Sequence, residues 1–417
     1  MFKILILAYL IGTNPVDTQQ TFQMEETYFS MSECKANLLA QHPDRTYQVM
    51  KEFVIDGKHI GKNFPCYLIA EAGANHEGDI KKAFQLIDAA KESGVDAIKF
   101  QNYTAEKWTT KNAPKYWNDG IKNESQFDVF SKLDTLSDDE WKQIFEYAQK
   151  KNITCFSTPF DLESVELLDS FDIPAYKIAS ADITHLELIK KIASKNKPIF
   201  ISTGMASMEE IHEAVSTIED QGNEEIIIMH CITSYPTKSE DANLDMIKSL
   251  DLEFPDYNIG YSDHTLGTDI ASYSVFYGSK CIEKHFTYDK NLSVSRDHRL
   301  SLNSDDFKEL IKKIKLIEMS RGSSVRDNFS AESSAVEFAR RSIVSKCDIP
   351  KGTEITENMI DVKRPGTGIL PKYFFKIIGS KTLKDIPEDS TIQWNDIDFN
   401  QWQKKFWSEL MGVRKLD

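Results

Sequence analysis

The stretches YNIGYSDHTLG at residues 257–267 and KCIEKHFT at residues 280–287 decide the fold of this chain. Each is a short apolar run that ends in a histidine and passes into polar, turn-forming residues, as a β-strand does at its carboxyl end. In a parallel barrel the carboxyl ends of successive strands meet on one face, so His264 and His285 can approach one metal ion. The alternative is two unrelated histidines that cap helices or occupy polar core positions.

Six further strand-like runs precede these two and alternate with amphipathic helical stretches. We expect eight strands, at residues 67–72, 96–101, 154–159, 175–180, 198–204, 225–231, 257–262 and 279–286. Eight such units in about 260 residues match a (β/α)8 barrel, the TIM barrel. A doubly wound open sheet is the alternative, but no GxGxxG turn follows the first strand.

The sequence before the barrel has a different character. We expect residues 1–50 to form a small β-rich appendage of unknown role, with FKILILAYLI as its first strand. A cleaved leader is the alternative, although the small-residue cleavage pattern is missing. Within the barrel, the long polar and aromatic interval 103–134 suits a partly ordered lid over the active-site face.

The chain divides into domains at changes of composition. The barrel domain is expected at residues 51–321, followed by a polar linker at 322–337. Residues 338–398 contain short strands broken by Pro-Lys-Gly and Pro-Gly turns, which predicts a separate small β-rich domain. Residues 399–417 form a tail.

Composition excludes some classes of partner. The net charge of −15, from 65 acidic and 50 basic residues, argues against nucleic acid and against an anionic membrane surface. An anionic substrate would need a local basic pocket. The six cysteines form no CxxC pair, and several lie in apolar runs, which indicates reduced core thiols and a cytoplasmic location.

Charged and hydroxyl side chains gather at the predicted strand ends. A single lysine in an apolar strand is most often outward-facing. Lys99 and Lys177 on two different strands, together with nearby hydroxyls, would instead hold a phosphate and a carboxylate by charge-assisted hydrogen bonds. The other candidates at strand ends and in the loops that follow are Glu71, Gln101, Ser180, Asp182, Ser202, Tyr235 and Ser262.

The motifs AEAGANHEGD, IKFQ, FSTPFD, AYKIAS, ISTGM, SYPT, GYSDHTLG, EKHFT and VKRPGTG together resemble the sialic acid (N-acetylneuraminate) synthase family. The resemblance covers roughly residues 53–398, and the C-terminal segment is similar to the antifreeze-like (SAF) domain of that family. It implies condensation of phosphoenolpyruvate (PEP) with an N-acetylated hexosamine, classically N-acetylmannosamine, to give a nonulosonic acid and phosphate. Legionaminic or pseudaminic acid synthesis from a diacetamido-trideoxyhexose stays open.

The resemblance also implies residue roles. His264 and His285 would bind a divalent ion, Mn2+ in preference to Mg2+ or Co2+, that acts as a Lewis acid. Glu71 and Asp182 would orient the aldehyde and move protons. The PEP-binding set would be Lys99, Lys177, Ser180, Ser202 and Ser262, with both lysines also catalytic. The sugar-binding set would be Gln101, Tyr235, Asp297 and Arg364, the last supplied by the partner subunit of a domain-swapped homodimer.

The chain departs from the family pattern in two places. Asp182 stands where some members have glutamate, so its side chain is one methylene shorter. In NLSVSRDHRLSL, residues 291–302, Ser-Arg replaces the usual Gly-Pro before Asp297. That segment and the lid face the variable part of the sugar.

Two other classes of function compete with a synthase. A metal-dependent barrel aldolase or isomerase would keep both histidines but has no need of two strand-end lysines in one anion pocket. A non-catalytic carbohydrate-binding or ice-binding protein would need neither the lysines nor Glu71. An assay of PEP-dependent phosphate release separates these alternatives.

Overall fold

The structure is a computed structural model that describes residues 52–117, 124–292, 294–322 and 330–398. The predicted appendage at residues 1–50 and the tail at 399–417 lie outside these ranges. The described residues fall into two compact units that divide after Gly322.

The first described element is an antiparallel hairpin of β1 (Phe53–Ile55) and β2 (Lys58–Ile60). Both residues of its Asp-Gly turn have positive φ, a backbone region that these residue types tolerate in tight hairpins. The apolar hairpin side chains share a buried cluster with Tyr67 and Cys281, the first residues of two barrel strands. The hairpin therefore packs at the amino-terminal end of the barrel.

Eight parallel strands close into a barrel, because the last strand pairs with the first. The predicted TIM barrel is confirmed. The predicted strand at residues 175–180 is shorter than expected and ends at Ile178, because Ser180–Asp182 form a 3-10 turn. The strands are β3 (Tyr67–Gly73), β4 (Ala97–Asn102), β5 (Thr154–Pro159), β6 (Tyr176–Ile178), β7 (Ile199–Ser202), β8 (Ile226–Cys231), β9 (Asn258–Asp263) and β10 (Cys281–His285).

Helices surround the barrel and bury apolar stripes against it. The first, α1 (Ile80–Ser93), begins at an Asp79 N-cap and ends at Gly94, whose φ of 82° suits a glycine C-cap. The others in this unit are α2 (Ala105–Trp108), α3 (Gln126–Ser131), α4 (Asp138–Lys150), α5 (Leu162–Ser170), α6 (Leu186–Ala193), α7 (Met208–Glu219), α8 (Asp245–Glu253), α9 (Asp269–Ser274) and α10 (Ser304–Arg321).

The second unit is small and built from short elements. Its core cluster consists of isoleucines, from Ile343 to Ile397, whose branched side chains fill the space between two two-stranded sheets. Its elements are α11 (Ser333–Phe338), β11 (Ser342–Ser345), β12 (Ile360–Lys363), α12 (Phe374–Ile377), β13 (Lys381–Thr382) and β14 (Ile397–Asp398).

The described residues contain no disulfide and no helix that could span a membrane. Five cysteines lie in the described ranges and none of these is in a disulfide; four are buried, whereas Cys347 is exposed and so is not a core thiol. Over the same ranges, no helix has the length and apolar character needed to cross a bilayer.

Candidate active site

A cavity of about 570 Å³ opens at the carboxyl ends of the barrel strands, within the size range of small-molecule sites. Part of the predicted lid forms its outer wall. Asp182 does not line it, and Arg364 belongs to the second unit. The predicted site residues that the fold brings together around it are Glu71, Lys99, Gln101, Lys177, Ser180, Ser202, Tyr235, Ser262, His264, His285 and Asp297.

Lys99 and Glu71 form a buried ion pair on neighbouring strands at the floor of the cavity. Lys99 Nζ lies 2.6 Å from Glu71 Oε2 and donates to Thr158 Oγ1 at 3.0 Å. Gln101 donates to the other carboxylate oxygen of Glu71 at 2.7 Å. Burial raises the pKa of Glu71 to about 7, although Lys99 opposes the shift. Glu71 can therefore gain or lose a proton near neutral pH.

Lys177 is buried without a carboxylate partner. Its Nζ donates to Ser202 Oγ at 2.6 Å and to the Ile178 carbonyl at 3.2 Å. Among the described residues, no acidic side chain lies within ion-pair distance of this nitrogen. Burial accordingly lowers the pKa of Lys177. An ammonium group in such surroundings favours the binding of an anion.

Close backbone approach shapes the wall beside Lys177. The Gly204 amide donates to Ser180 Oγ at 3.0 Å. A Cβ at Gly204 would lie 2.8 Å from that oxygen and 2.3 Å from Thr233 Oγ1. The glycine of ISTGM is therefore required for the two hydroxyls to meet here.

Glu283 is a site residue that the sequence analysis missed. It lines the cavity, lies 3.7 Å from Lys99 Nζ and accepts from Ser262 Oγ at 3.3 Å. Burial alone would raise its pKa, but Lys177 and Lys99 together lower it. The sequence CIEKH contains the information that would have identified Glu283. Residues two apart on a strand face the same side, so Glu283 faces the cavity together with His285.

The two histidines are neighbours above this floor, with ring centroids 5.4 Å apart. His264 Nδ1 lies 2.8 Å from the Ile232 carbonyl oxygen, which can only accept a hydrogen bond. Nδ1 therefore carries the proton, and the lone pair of Nε2 can coordinate a metal. His285 Nδ1 is buried without a hydrogen bond in the described structure and lies 3.9 Å from Asp297 Oδ2. Burial lowers the pKa of His285 to about 4, so its ring is neutral.

This donor set fits a divalent ion. A neutral imidazole such as that of His285 is a common metal ligand, and its unpaired Nδ1 has no hydrogen-bond partner among the described residues. Within the part of the chain that the structure describes, no three acidic, cysteine or histidine side chains form a ready-made metal cluster. Oxygen atoms of water or substrate would therefore complete the coordination.

The mouth of the cavity is aromatic. The Tyr235 ring centroid lies 4.1 Å from that of His264, and the Arg296 guanidinium lies 3.6 Å from the centroid of Trp117 in the lid. Deeper in the lid, the Trp108 ring packs 4.1 Å from Phe130. Arg296 is the arginine of the Ser-Arg pair that departs from the family pattern, and its side chain was not among the predicted site residues.

The segment that carries Arg296 and Asp297 is held by Glu77, in the loop after β3. Glu77 Oε1 accepts from the backbone amides of Val294 at 3.1 Å and Ser295 at 3.2 Å. The imidazole of His298 also lies 3.2 Å from the same oxygen. Glu77, which follows the first barrel strand, therefore anchors the segment that follows the last barrel strand.

Asp182 occupies the 3-10 turn after β6. It is half-buried, and its Oδ2 atom has no hydrogen-bond partner among the described residues. Burial raises its pKa to about 7, with Lys177 opposing the shift. Its catalytic role stays a prediction.

Comparisons with known proteins agree with this arrangement. The sequence model of the NeuB family matches residues 86–326, and that of the SAF domain matches residues 340–398. An uncharacterized protein of Methanocaldococcus jannaschii is 42% identical, over 84% of this chain and 99% of its own length. The N,N'-diacetyllegionaminic acid synthase of Campylobacter jejuni is 39% identical, over 78% of this chain and 98% of its own.

A solved structure extends the comparison. The N-acetylneuraminic acid (sialic acid) synthetase of Leptospira borgpetersenii, crystallised with citrate, superposes with a TM-score of 0.62 at 31% identity. The match covers 70% of this chain and 97% of that one. The chain belongs to the NeuB family of sialic acid synthases, and its C-terminal unit is an SAF domain.

Proposed function

We propose that the chain is a PEP-dependent synthase that joins PEP to an N-acetylated hexosamine and releases a nonulosonic acid and phosphate. The observation that carries the proposal is Lys177, a buried ammonium that has no carboxylate partner among the described residues, beside the Lys99–Glu71 pair. Two cations at one floor suit a substrate with both a phosphate and a carboxylate. The activities of the legionaminic acid synthase and the sialic acid synthetase described above support the same class of reaction.

The floor residues bind and orient PEP. Lys177 and Lys99 would neutralise its phosphate and carboxylate, and three hydroxyls around them would donate the remaining hydrogen bonds. These hydroxyls belong to Ser180, Ser202 and Ser262.

The sugar aldehyde lies above PEP in this arrangement. His264 and His285 would hold a divalent ion, Mn2+ in preference to Mg2+ or Co2+, and such an ion supplies Lewis acidity to a carbonyl oxygen. Tyr235 and Asp297, which flank the imidazoles, would contact the sugar. Gln101 would orient it through its contact with Glu71.

The bond changes balance as follows. The double-bond electrons of PEP form a bond from carbon 3 to the aldehyde carbon, the π electrons of the aldehyde move to its oxygen, and carbon 2 gains oxocarbenium character. Water adds to carbon 2 and gives up a proton, which the aldehyde oxygen, now an alkoxide, takes up; Glu71, whose pKa is about 7, can relay this proton. The bond from carbon 2 to the bridging oxygen then breaks, the hydroxyl at carbon 2 becomes the ketone as its proton passes to the departing phosphate, and Lys99 and Lys177 hold the phosphate charge.

An isotope experiment tests this assignment. PEP labelled with heavy oxygen at the bridging position should release the label in inorganic phosphate, as seen by mass spectrometry. Label retained in the sugar acid would mean that water attacks phosphorus, and the proposed function of the floor would fail. A non-catalytic carbohydrate-binding protein would release no phosphate at all.

Two features of the organisation belong to the same proposal. We infer a domain-swapped homodimer in which Arg364 of one chain completes the sugar site of the other. We also infer a cytoplasmic location, supported by the unpaired, mostly buried cysteines among the described residues.

A further inference from the structure

Arg296 has an unused hydrogen-bond donor inside the cavity wall. Its side chain is only 18% exposed, and within the described residues its Nη1 is buried without a partner. Its Nε lies 3.5 Å from Asp297 Oδ1, an ion pair without a good hydrogen bond. A buried donor of this kind is costly unless a ligand satisfies it.

The position of Arg296 assigns it to the end of the sugar distant from the aldehyde. The lysines mark the floor, the two histidines lie above them, and Asp297 lies 3.9 Å from His285 Nδ1. Arg296 comes next along the wall, 5.7 Å from the Tyr235 ring and 3.6 Å from that of Trp117. A sugar whose aldehyde meets the histidines therefore presents its far substituents to Arg296.

Three cations near the mouth have carboxylate partners. Lys115 and Lys132 both contact Glu124, and these contacts lower the pKa of that carboxyl, with the Lys132 hydrogen bond the largest cause. Arg296 shares its charge with Asp297. These three cations are thus compensated, whereas a phosphate is bound best by cations that are not. Arg299, which also lines the cavity, has no ion pair among the described residues, so the phosphorylated sugar is kept as an arm of the test.

The walls around Arg296 favour apolar groups on the sugar. A chain of free hydroxyls would lose hydrogen bonds to water against such walls, whereas methyl groups would be favoured there. Aromatic and apolar side chains that line the cavity include Tyr103, Trp108, Tyr116, Phe130, Phe160 and Val294, and the Arg296 guanidinium lies 5.7 Å from the Tyr116 ring.

We propose that Arg296 is a specificity-determining residue, which donates from its guanidinium to the carbonyl oxygen of a second acetamido group on the sugar. The substrate is then a diacetamido-deoxyhexose, whose acetyl and deoxy methyl groups contact the aromatic walls. This inference rests on the proposed function and names the sugar class that the same site accepts.

The test compares kcat/KM for three sugars at saturating PEP: 2,4-diacetamido-2,4,6-trideoxymannose, N-acetylmannosamine and N-acetylmannosamine 6-phosphate. The unaltered chain should prefer the diacetamido sugar. Arg296→Met should lower kcat/KM for that sugar by about 10- to 100-fold, the value of one hydrogen bond from a charged donor. It should change the value for N-acetylmannosamine by less than about 3-fold, because that sugar has no second acetamido carbonyl.

Two further variants complete the design. Arg296→Lys keeps the charge but loses the planar fork, so its kcat/KM for the diacetamido sugar should fall between those of the unaltered chain and Arg296→Met. Lys290→Met is the control, because Lys290 lies in the same loop region but pairs with Asp306 outside the cavity. It should leave the sugar preference unchanged.

The outcomes separate this inference from the proposed function. Preference for N-acetylmannosamine or its phosphate, or an equal loss for all sugars in Arg296→Met, overturns the role of Arg296 and leaves the synthase intact. Phosphate release with none of the sugars would refute the proposed function itself.

Discussion

Lys284 and Asp263 form an ion pair buried almost completely, with Nζ 2.7 Å from Oδ2 and side-chain exposures of 1% and 0%. Each residue precedes one of the two candidate metal-binding histidines on neighbouring strands, β10 and β9. Because alternate strand residues face opposite sides, the pair lies behind the imidazoles rather than in the cavity. Asp263 also accepts from the Thr265 amide at 2.8 Å, which fixes the turn after His264.

Lys284→Met should destabilise the barrel strongly. The substitution leaves the Asp263 carboxylate buried without its cation, a change that costs about 3–5 kcal/mol. Urea denaturation followed by circular dichroism measures the loss. Lys308→Met is the matched control, because Lys308 pairs with Glu92 and Asp305 on the surface and should not move the midpoint. Equal midpoints for the two variants would contradict the structural role of the pair.

His264→Ala and His285→Ala should remove bound metal without unfolding the barrel. Both side chains face the cavity, and turnover should fall by about 10³-fold or more with the loss of Lewis acidity. Elemental analysis of protein loaded with Mn2+ gives the occupancy, and thermal melting reports the fold. His212→Ala, on the exposed face of α7, should keep both metal and rate. Full occupancy in either cavity variant would refute the metal assignment.

Asp182→Asn should gain stability over the unaltered chain as pH rises from about 4 to 7. Burial raises the folded-state pKa of Asp182 from 3.8 to about 7, so above pH 3.8 the unfolded chain releases a proton that the folded chain retains. The unaltered protein therefore loses stability across this window, and asparagine, which does not titrate, removes that loss. Denaturation midpoints at several pH values should diverge up to pH 7 and then run parallel. Parallel curves from pH 4 onward would show an ordinary pKa.

An Arg364→Ala chain mixed with a Lys177→Ala chain should recover about one quarter of full activity when subunits exchange freely. In a domain-swapped dimer, half of the mixed population is heterodimeric, and each heterodimer has one site with both residues intact. The control mixes Lys177→Ala with Ser202→Ala, which both alter the barrel and so leave no site intact. A first mixture as inactive as its parents would contradict swapping.

The barrel was predictable because each strand and helix is encoded by the pattern of apolar residues in its own stretch of sequence. Alternating apolar strands and helices, and polar residues at strand ends such as Lys99 and Lys177, follow from chain periodicity and from the geometry of parallel sheets. The early end of β6 was missed because the apolar run AYKI continues into Ala179, whereas the structure ends the strand at Ile178 and forms a 3-10 turn at Ser180–Asp182.

The polar pairings of the site were harder to predict than its residues. Lys284 looks like an outward-facing surface lysine in the sequence, and only the fold shows Asp263 beside it. The contact between Arg296 and Trp117 joins two loops from distant parts of the chain, so no local pattern carries it. Such contacts depend on the relative placement of whole βα units.

Glu77 anchors the 294–298 segment through backbone groups of that segment. Its carboxylate accepts from the backbone amides of Val294 and Ser295, so these two anchoring hydrogen bonds do not use the side chain at position 296. If Arg296 selects the sugar as we propose, a substitution at position 296 changes that contact without altering the lysines and histidines, and directed evolution of a new sugar preference should begin there.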